Sequence, residues 1–166
     1  DSEDYLDNII NNLHNYLKDY EERFKISLGV ANPYSGIKNI EKLYNEAYLA
    51  VLFSNQDTIF FNTLDTIKLL YPLKEDKEIQ NYYGRTIKKL ERYDEEHGTN
   101  LVETLEIYLK YNFKKTIVSN KLFIHVETLR YRLNRIEEIT GYSLDNSEGI
   151  FALQMGIKLK RLIKIN

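Results

Sequence analysis

Residues 116–136 read TIVSNKLFIHVETLRYRLNRI, and this stretch decides the fold that is expected for the C-terminal part of the chain. Ile117 and Leu122 predict a first helix of barely two turns, and residues 123–125 predict a tight connection with an apolar residue, Ile124, at its centre. A second helix follows, whose apolar residues recur at helical spacing: Val126, Leu129, Leu133 and Ile136. At 100° per residue these side chains fall within an arc of about 80°, which indicates one buried face.

The opposite face of the second helix is polar and basic. It holds Glu127, Thr128, Tyr131, Asn134 and Arg135, with Arg130 and Arg132 on its flanks. A short helix, a three-residue turn and a longer helix with a basic exposed face are typical of a helix-turn-helix, whose second helix enters the major groove of DNA. Arg binds guanine or phosphate, Thr binds bases or phosphate, and Tyr binds phosphate. The pattern therefore predicts a DNA-binding surface, although any amphipathic surface helix also carries charges opposite an apolar stripe.

The distribution of charge favours the same segment. The net charge is -2, but residues 1–74 hold 7 Lys/Arg against 11 Asp/Glu, whereas residues 99–166 hold 11 against 7. Within residues 110–135 the single acidic residue is Glu127, and the basic residues are Lys110, Lys114, Lys115, Lys121, Arg130, Arg132 and Arg135. A basic cluster in an otherwise acidic chain is expected where phosphates are bound. A solvated charged face is the alternative.

The composition is that of an ordinary globular protein and argues against several other classes. Hydrophobic residues make up 43% and charged residues 29%, so a disordered chain is not expected. The absence of cysteine excludes disulfides and thiolate metal sites and suits a reducing compartment. No apolar run approaches the roughly 18 residues of a membrane span, and no signal peptide opens the sequence, so a cytoplasmic location is expected.

No catalytic, cofactor or metal site is expected. The seven glycines form no phosphate-cradling loop. His14, His97 and His125 lie far apart in sequence, and no cysteine could complete a metal site with them. Adjacent carboxylates such as Glu95 and Glu96 point to different sides of a helix and do not resemble a catalytic pair. The sequence is therefore not expected to be that of an enzyme.

The first third of the chain alternates helix and strand. An amphipathic helix is predicted over about residues 4–22 from the apolar residues Leu6, Ile9, Ile10, Leu13, Leu17 and Tyr20. Residues 26–30 and 58–61 predict strands, and between them a second amphipathic helix carries Ile40, Leu43, Tyr44, Ala47, Ala50 and Val51. Because two strands alone are marginal in water, a larger sheet is expected. The single methionine, Met155, likewise indicates an excerpt of a longer protein.

Only helices are expected after Pro72. One helix through Ile79, Tyr83, Ile87 and Leu90 is predicted to end near His97 and Gly98, and another is predicted to end at Asn112. A last helix over about residues 147–163 is predicted to start with Ser147 as its N-cap. The apolar residues that lie mostly on its buried side are Ile150, Phe151, Leu153, Ile157 and Leu162. The expected fold class is α+β overall, with a helix/strand module over residues 1–72 and an all-α domain over residues 73–166.

Several motifs in residues 78–163 resemble a known family. They are YDEEHGTNLVETL at 93–105, IHVETLRYRL at 124–133, Arg135-Ile136-Glu137, Thr140-Gly141 and Leu153-Gln154. Together they resemble the C-terminal domain of the PucR/CdaR regulators, the purine-catabolism and sugar-diacid activators. The resemblance implies a cytoplasmic transcription factor without a cofactor, whose partner is double-stranded DNA and which often acts as an oligomer such as a dimer. It also leaves room for a small-molecule effector that acts through a missing N-terminal domain.

The Thr-Leu-Arg element also resembles the recognition helix of Fis-type proteins. These resemblances imply DNA contacts by His125, Thr128, Arg130 and Tyr131, phosphate clamps at Arg132 and Arg135, and a place for Lys121 in the same surface. The family usually has Arg-Asn where this chain has Val126-Glu127. Glu127 would repel phosphate unless it accepts from a cytosine amino group. The alternative is therefore a protein-interaction or oligomerisation module that has lost strong DNA contact.

The first third loosely resembles the central domain of the same regulators, a degenerate relative of the GGDEF cyclase fold. The matching residues are 26–30 and the helix through Tyr44, Glu46, Ala47 and Ala50. The hairpin that holds metal and nucleotide in the cyclases is absent from the sequence, so no cyclase activity is implied and a nucleotide-handling enzyme is the least supported class. The resemblance implies a partial GGDEF-like module, with a dimerising or signal-relaying role as a hypothesis, followed by an all-α helix-turn-helix domain.

Overall fold

The computed structural model describes residues 2–21, 24, 26–54 and 58–164. The chain divides into two compact units, Asp1–Asp65 and Thr66–Asn166. The described residues are mostly helical and contain a single two-stranded sheet. The expected mixture of a small sheet with a helical C-terminal part is therefore confirmed. The domain boundary at residue 72 stays a prediction, because compactness alone does not define a domain.

The first unit contains a parallel pair of strands joined by a helix. Its elements are α1 (Ser2–Glu21), β1 (Leu28–Val30), a short 3-10 turn (Ile37–Asn39), α2 (Ile40–Phe53) and β2 (Thr58–Phe60), with a second 3-10 turn after it (Phe61–Thr63). Leu28 pairs with Thr58 and Val30 with Phe60. α2 packs against both strands, so the three elements form a βαβ unit. The expected last residue of the first helix, Glu22, lies outside the described residues.

The buried face of α2 differs from the predicted one. Leu49 and Ala50 are buried, whereas Tyr44 is 68% exposed. The other buried residue of the helix is Glu46, whose carboxylate accepts hydrogen bonds from the backbone N–H of Asn32 at 3.0 Å and the hydroxyl of Tyr34 at 2.7 Å. Such bonds offset the cost of burying a carboxylate. Apolar periodicity assigns Glu to the solvent side and therefore misplaced this face.

The second unit is built from helices. They are α3 (Asp65–Leu70, which starts at the last residue of the first unit), α4 (Lys77–Arg85), α5 (Ile87–His97), α6 (Leu101–Lys110), α7 (Lys115–Lys121), α8 (Val126–Thr140) and α9 (Ser147–Ile163), with a 3-10 turn at Tyr71–Leu73. α8 packs against α5, α6 and α7, and α9 packs against α4 and α5. The fully buried side chains at the centre of this unit include Ile87, Leu90, Leu105, Leu129, Ile136, Leu153, Leu159 and Leu162.

The helix that was expected to run from Ile79 to His97 is interrupted at Thr86, so the expectation of one helix is wrong. The Thr86 backbone has φ −97° and ψ −89°, and its hydroxyl donates to the carbonyl oxygen of Tyr82 at 2.9 Å. Hydroxyl groups bonded in this way compete with the helical hydrogen bonds and bend helices. Thr86 is fully buried, and a Cβ added to Gly156 of α9 would lie 2.6 Å from its hydroxyl oxygen. The bend therefore lies where α9 approaches most closely.

Of two predicted helix ends, that of α5 is confirmed and the start of α9 is shifted by one residue. Gly98 ends α5 in the left-handed conformation, as predicted, with φ 63° and ψ 35°. The N-cap of α9 is Asn146 rather than Ser147, because the Asn146 side chain accepts from the backbone N–H of Gly149 at 2.7 Å. Both residue types cap helices well, so the sequence could not separate them. Phe151 of α9, which was expected on the buried side, is 57% exposed.

We expect Gly156→Ala to lower the free energy of unfolding by about 1–3 kcal/mol, because the added methyl group overpacks the contact with Thr86. This cost exceeds the gain of about 1 kcal/mol in helix propensity. The matched control is Gly84→Ala in α4, where an added Cβ meets no atom within 4 Å. That variant should gain about 0.5–1 kcal/mol. Urea unfolding followed by circular dichroism measures both, and shifts of the same sign would contradict the close approach.

Candidate nucleic-acid interface

One face of α8 is buried as the sequence predicts. Leu129 and Ile136 are fully buried, Leu133 is 4% exposed, and Val126 at the start of the helix is half-buried. α8 begins after His125, whose backbone is extended, and it ends at Gly141 in the left-handed conformation. Since residues of a helix are spaced by about 100°, burial of this face turns the opposite face toward solvent.

The anchor of α7 is not the predicted one. Val118 is fully buried, whereas Ile117 is 39% exposed and Leu122 is only half-buried. Ser119 is also buried and donates its hydroxyl hydrogen bond to the carbonyl oxygen of Thr116 at 3.0 Å. In a helix of two turns, apolar residues at 117, 118 and 122 do not determine which side of the helix faces the core. The expectation that Ile117 anchors the helix is therefore wrong.

The connection between α7 and α8 is a Schellman motif. The N–H of Ile124 donates to the carbonyl oxygen of Ser119 at 3.0 Å, and the N–H of Phe123 donates to that of Asn120 at 3.2 Å. Phe123 takes the position that glycine usually holds, with φ 54°, and its side chain is 94% exposed. Ile124 is half-buried, in keeping with its expected place as the apolar residue of the turn. This motif ends α7, and α8 starts after the connection over residues 122–125.

Five of the seven predicted contact residues lie on the exposed surface of these two helices and their connection. They are Lys121, His125, Thr128, Arg130 and Tyr131. Tyr131 is 68% exposed. The ammonium of Lys121 lies 5.8 Å from the ring centroid of Tyr111, a cation–π contact that connects the end of α7 to the end of α6. The structure therefore brings these residues together over one continuous helix-turn-helix segment.

Arg132 and Arg135 are half-buried and hold α8 to its neighbours. The guanidinium of Arg132 donates to the hydroxyl of Thr104 in α6 at 3.1 Å. The guanidinium of Arg135 donates to Glu138 at 2.6 Å, and its carbon lies 4.8 Å from the ring centroid of Tyr93 in α5. The hydrogen bond to Glu138, followed by that to Tyr93, raises the pKa of Arg135 above its ordinary value. Both guanidinium groups thus have partners within the fold.

Glu127 and Arg130 form an ion pair that the sequence analysis did not identify. The Arg130 Nη1 atom lies 2.8 Å from the Glu127 Oε1 atom, one helical turn apart on the exposed face of α8. The i,i+3 spacing of an acidic and a basic residue was the signal that could have revealed it. The pair places one negative charge at the N-terminal end of an otherwise basic surface.

The described residues lack two other kinds of feature, metal-binding clusters and membrane-spanning helices. They contain no group of three or more His, Asp or Glu side chains that could hold a metal ion. Within the same part of the chain, no helix combines the length and the apolar character needed to cross a membrane.

The comparisons with known proteins identify this segment. Residues 101–159, which run from α6 into α9, match the family model described as the PucR C-terminal helix-turn-helix domain. The chain is 33% identical over 155 residues to the DNA-binding transcriptional activator AdeR of Bacillus subtilis, and the match covers 87% of this chain and 36% of AdeR. It is 32% identical over 149 residues to the carbohydrate diacid regulator of Escherichia coli, and the match covers 86% of this chain and 37% of that regulator.

A further relative is the proline-responsive transcriptional activator PutR of Bacillus subtilis, which is 33% identical over 127 residues, with 73% of this chain and 31% of PutR covered. The chain thus spans about a third of the length of these curated relatives. The resemblance to PucR/CdaR-type regulators is confirmed for the helix-turn-helix region. Residues 101–159 therefore match the PucR C-terminal helix-turn-helix domain, and the chain is similar in sequence to named transcriptional regulators.

Proposed function

We propose that this protein regulates transcription by binding operator DNA with the exposed face of α8. One observation carries the proposal: α8 buries Leu129, Leu133 and Ile136, and its remaining surface is polar, basic and exposed. In a helix-turn-helix the second helix lies in the major groove, with its N-terminal residues nearest the base edges. The match of residues 101–159 to a helix-turn-helix domain supports the same orientation.

We assign the DNA contacts to the exposed residues of this segment. Thr128, Arg130 and Tyr131 lie on the outward face of α8 and suit bases and phosphates. His125 precedes the helix, where the backbone N–H groups and the helix dipole favour phosphate. Lys121, at the end of α7, adds a positive charge beside it. These contacts combine base recognition with positioning on the phosphate backbone.

Arg132 and Arg135 have a double role in this proposal. Each guanidinium has five N–H donors. Arg132 uses one of them on Thr104, and Arg135 uses one on Glu138 while its guanidinium lies over Tyr93. The Nε atom of Arg135 is buried, so the donors on its terminal nitrogens, together with those of Arg132, are the ones that suit phosphate oxygens at the edge of the groove. We propose that both residues clamp phosphates and fix the orientation of α8 at the same time.

We propose that residues 1–72 are part of a non-catalytic GGDEF-like module that dimerises or relays a signal. The parallel β1–α2–β2 arrangement supports this assignment. Within the described residues the sheet has two strands, and Ile9 and Leu13 of α1 are 46% and 41% exposed, so apolar surface remains for additional structure to cover. A small-molecule effector bound by a preceding N-terminal domain would act through this module.

We further propose a cytoplasmic homo-oligomer, with a dimer as its simplest form. Helix-turn-helix dimers bind two half-sites spaced by about one turn of DNA, which matches the two-fold symmetry of the protein to that of its operator. Sedimentation of the full-length protein with a duplex that carries two half-sites would distinguish a dimer from a monomer.

A protein-interaction module without strong DNA contact is the second candidate. The observations that favour it are the 94% exposure of Phe123 and the 68% exposure of Tyr131, beside an acidic residue, Glu127. Large exposed apolar groups are common where proteins bind each other. This candidate predicts that duplex DNA binds no better to the protein than to an unrelated acidic protein.

The first prediction of the proposed function concerns salt. If α7 and α8 neutralise about six phosphates, the plot of log affinity against log salt concentration should have a slope of about −5. Fluorescence anisotropy with a labelled operator duplex at several salt concentrations measures this slope. A slope close to zero would contradict binding through the basic surface.

The second prediction concerns base and phosphate contacts. Arg130→Ala and Thr128→Ala should each weaken operator binding about 5- to 100-fold, because contacts of this kind are worth about 1–3 kcal/mol. Both side chains are exposed, so the circular dichroism spectrum and the unfolding midpoint should stay unchanged. The charge-matched control is Lys77→Ala at the exposed start of α4, which should bind as the parent does. Unfolding of either α8 variant would show that the assigned face is wrong.

The third prediction separates the two kinds of arginine. Arg135→Ala should lower the urea midpoint of unfolding, because it removes the contacts with Glu138 and Tyr93. Arg130→Ala is the matched comparison, since its only hydrogen-bond partner among the described residues is the exposed Glu127, and it should leave the midpoint unchanged. Equal urea midpoints of unfolding for the two variants would show that Arg135 does not position α8.

A further inference from the structure

The ion pair between Glu127 and Arg130 lies at the part of α8 that approaches bases most closely. Glu127 is the second residue of the helix, and Arg130 follows one turn later. The Arg130 Nη1 atom lies 2.8 Å from the Glu127 Oε1 atom. The Arg130 side chain is 58% exposed and the Glu127 side chain is 78% exposed. Among the described residues the Oε2 atom of Glu127 accepts no hydrogen bond, and Arg130 keeps further N–H donors. The pair is therefore formed and still able to bind a ligand.

The fold itself gives little reason for this pair. Exposed ion pairs at i,i+3 contribute little to stability. Glu127 is well placed for the positive end of the helix dipole, but a carboxylate there also opposes the binding of phosphate. It is the one acidic residue within residues 110–135. A negative charge at this place opposes phosphate binding, and discrimination between bases is the use that it offers to a DNA-binding helix.

We infer that Glu127 is a specificity-determining residue: its carboxylate accepts from the amino group of a cytosine in the major groove, while Arg130, held by it, binds a neighbouring guanine. This inference rests on the proposed function. Cytosine offers an N4 amino donor there, and guanine offers the O6 and N7 acceptors that Arg binds in bidentate fashion. A carboxylate is repelled by the acceptor atoms of guanine and thymine, and by the N7 atom of adenine. The ion pair places the two side chains next to each other in the absence of DNA.

The experiment is selection of bound duplexes from a random-sequence pool by the full chain and by Glu127→Gln. The parent should enrich a site with cytosine at one position, preferred about tenfold over other bases. Gln recognises adenine through its N6 and N7 atoms, so Glu127→Gln should change the preferred base at that position from cytosine to adenine. The remaining positions of the site should keep their bases.

The matched control is Glu138→Gln. Glu138 also forms an i,i+3 pair on α8, at 2.6 Å from Arg135, but it lies toward the C-terminal end of the helix. Gln at this position can still accept from Arg135 but removes one negative charge, which alters affinity equally for all sequences. The enriched site should therefore be that of the parent.

The outcomes separate this inference from the proposed function. A parent chain that enriches no sequence overturns both. A parent that enriches a site, together with a Glu127→Gln variant that enriches the same bases, overturns the inference and leaves the proposed function standing. A variant that gains affinity uniformly, without a changed base, also overturns it, because Glu127 then acts only by repelling phosphate. A change to adenine at one position supports it.

Discussion

The burial of one apolar face of α8 is the constraint on which the candidate interface depends. Leu129 and Ile136 are fully buried against α5, α6 and α7, and burial of a side chain of this size contributes about 1.5–3 kcal/mol. A helix cannot rotate without exposing these groups, so the opposite face is fixed as well. The outward position of Thr128, Arg130 and Tyr131 is thus a consequence of core packing. No further contact is needed to expose these side chains.

Polar contacts also help to orient the helices of the second unit relative to each other. Arg132 binds Thr104 of α6, and at the end of α8 the Glu137 carboxylate accepts from the Ser143 hydroxyl at 3.0 Å and from the N–H of Leu144 at 2.5 Å. The Asp94 carboxylate accepts from the N–H groups of Leu101 and Val102, which satisfies the start of α6. Hydrogen bonds have directional geometry, whereas apolar burial does not. They therefore hold the helix axes at defined angles.

A structural feature could be predicted from the sequence where its physical cause is local. It could not be predicted where its cause lies in tertiary contacts. The buried face of α8 follows from helical spacing, and the end of α5 follows from the freedom of Gly98 to adopt a positive φ. By contrast, the interruption at Thr86 lies against α9, which is distant in the chain, and burial of Glu46 depends on donors contributed by residues 32 and 34. The Glu127–Arg130 pair lay between these cases. Its spacing was visible, but only the side-chain geometry shows that it forms.

The close approach of Thr86 and Gly156 links two positions that are distant in the chain. Because a methyl group at 156 would meet the hydroxyl of Thr86, the space available at one position depends on the size of the side chain at the other. Substitutions at these two positions are therefore not independent: a larger residue at 156 requires a smaller residue at 86, together with a shift of Ile87, whose Cγ1 atom would lie 2.8 Å from the added Cβ. The two positions should behave as a co-varying pair, whereas an open site such as Gly84 can change without a compensating substitution.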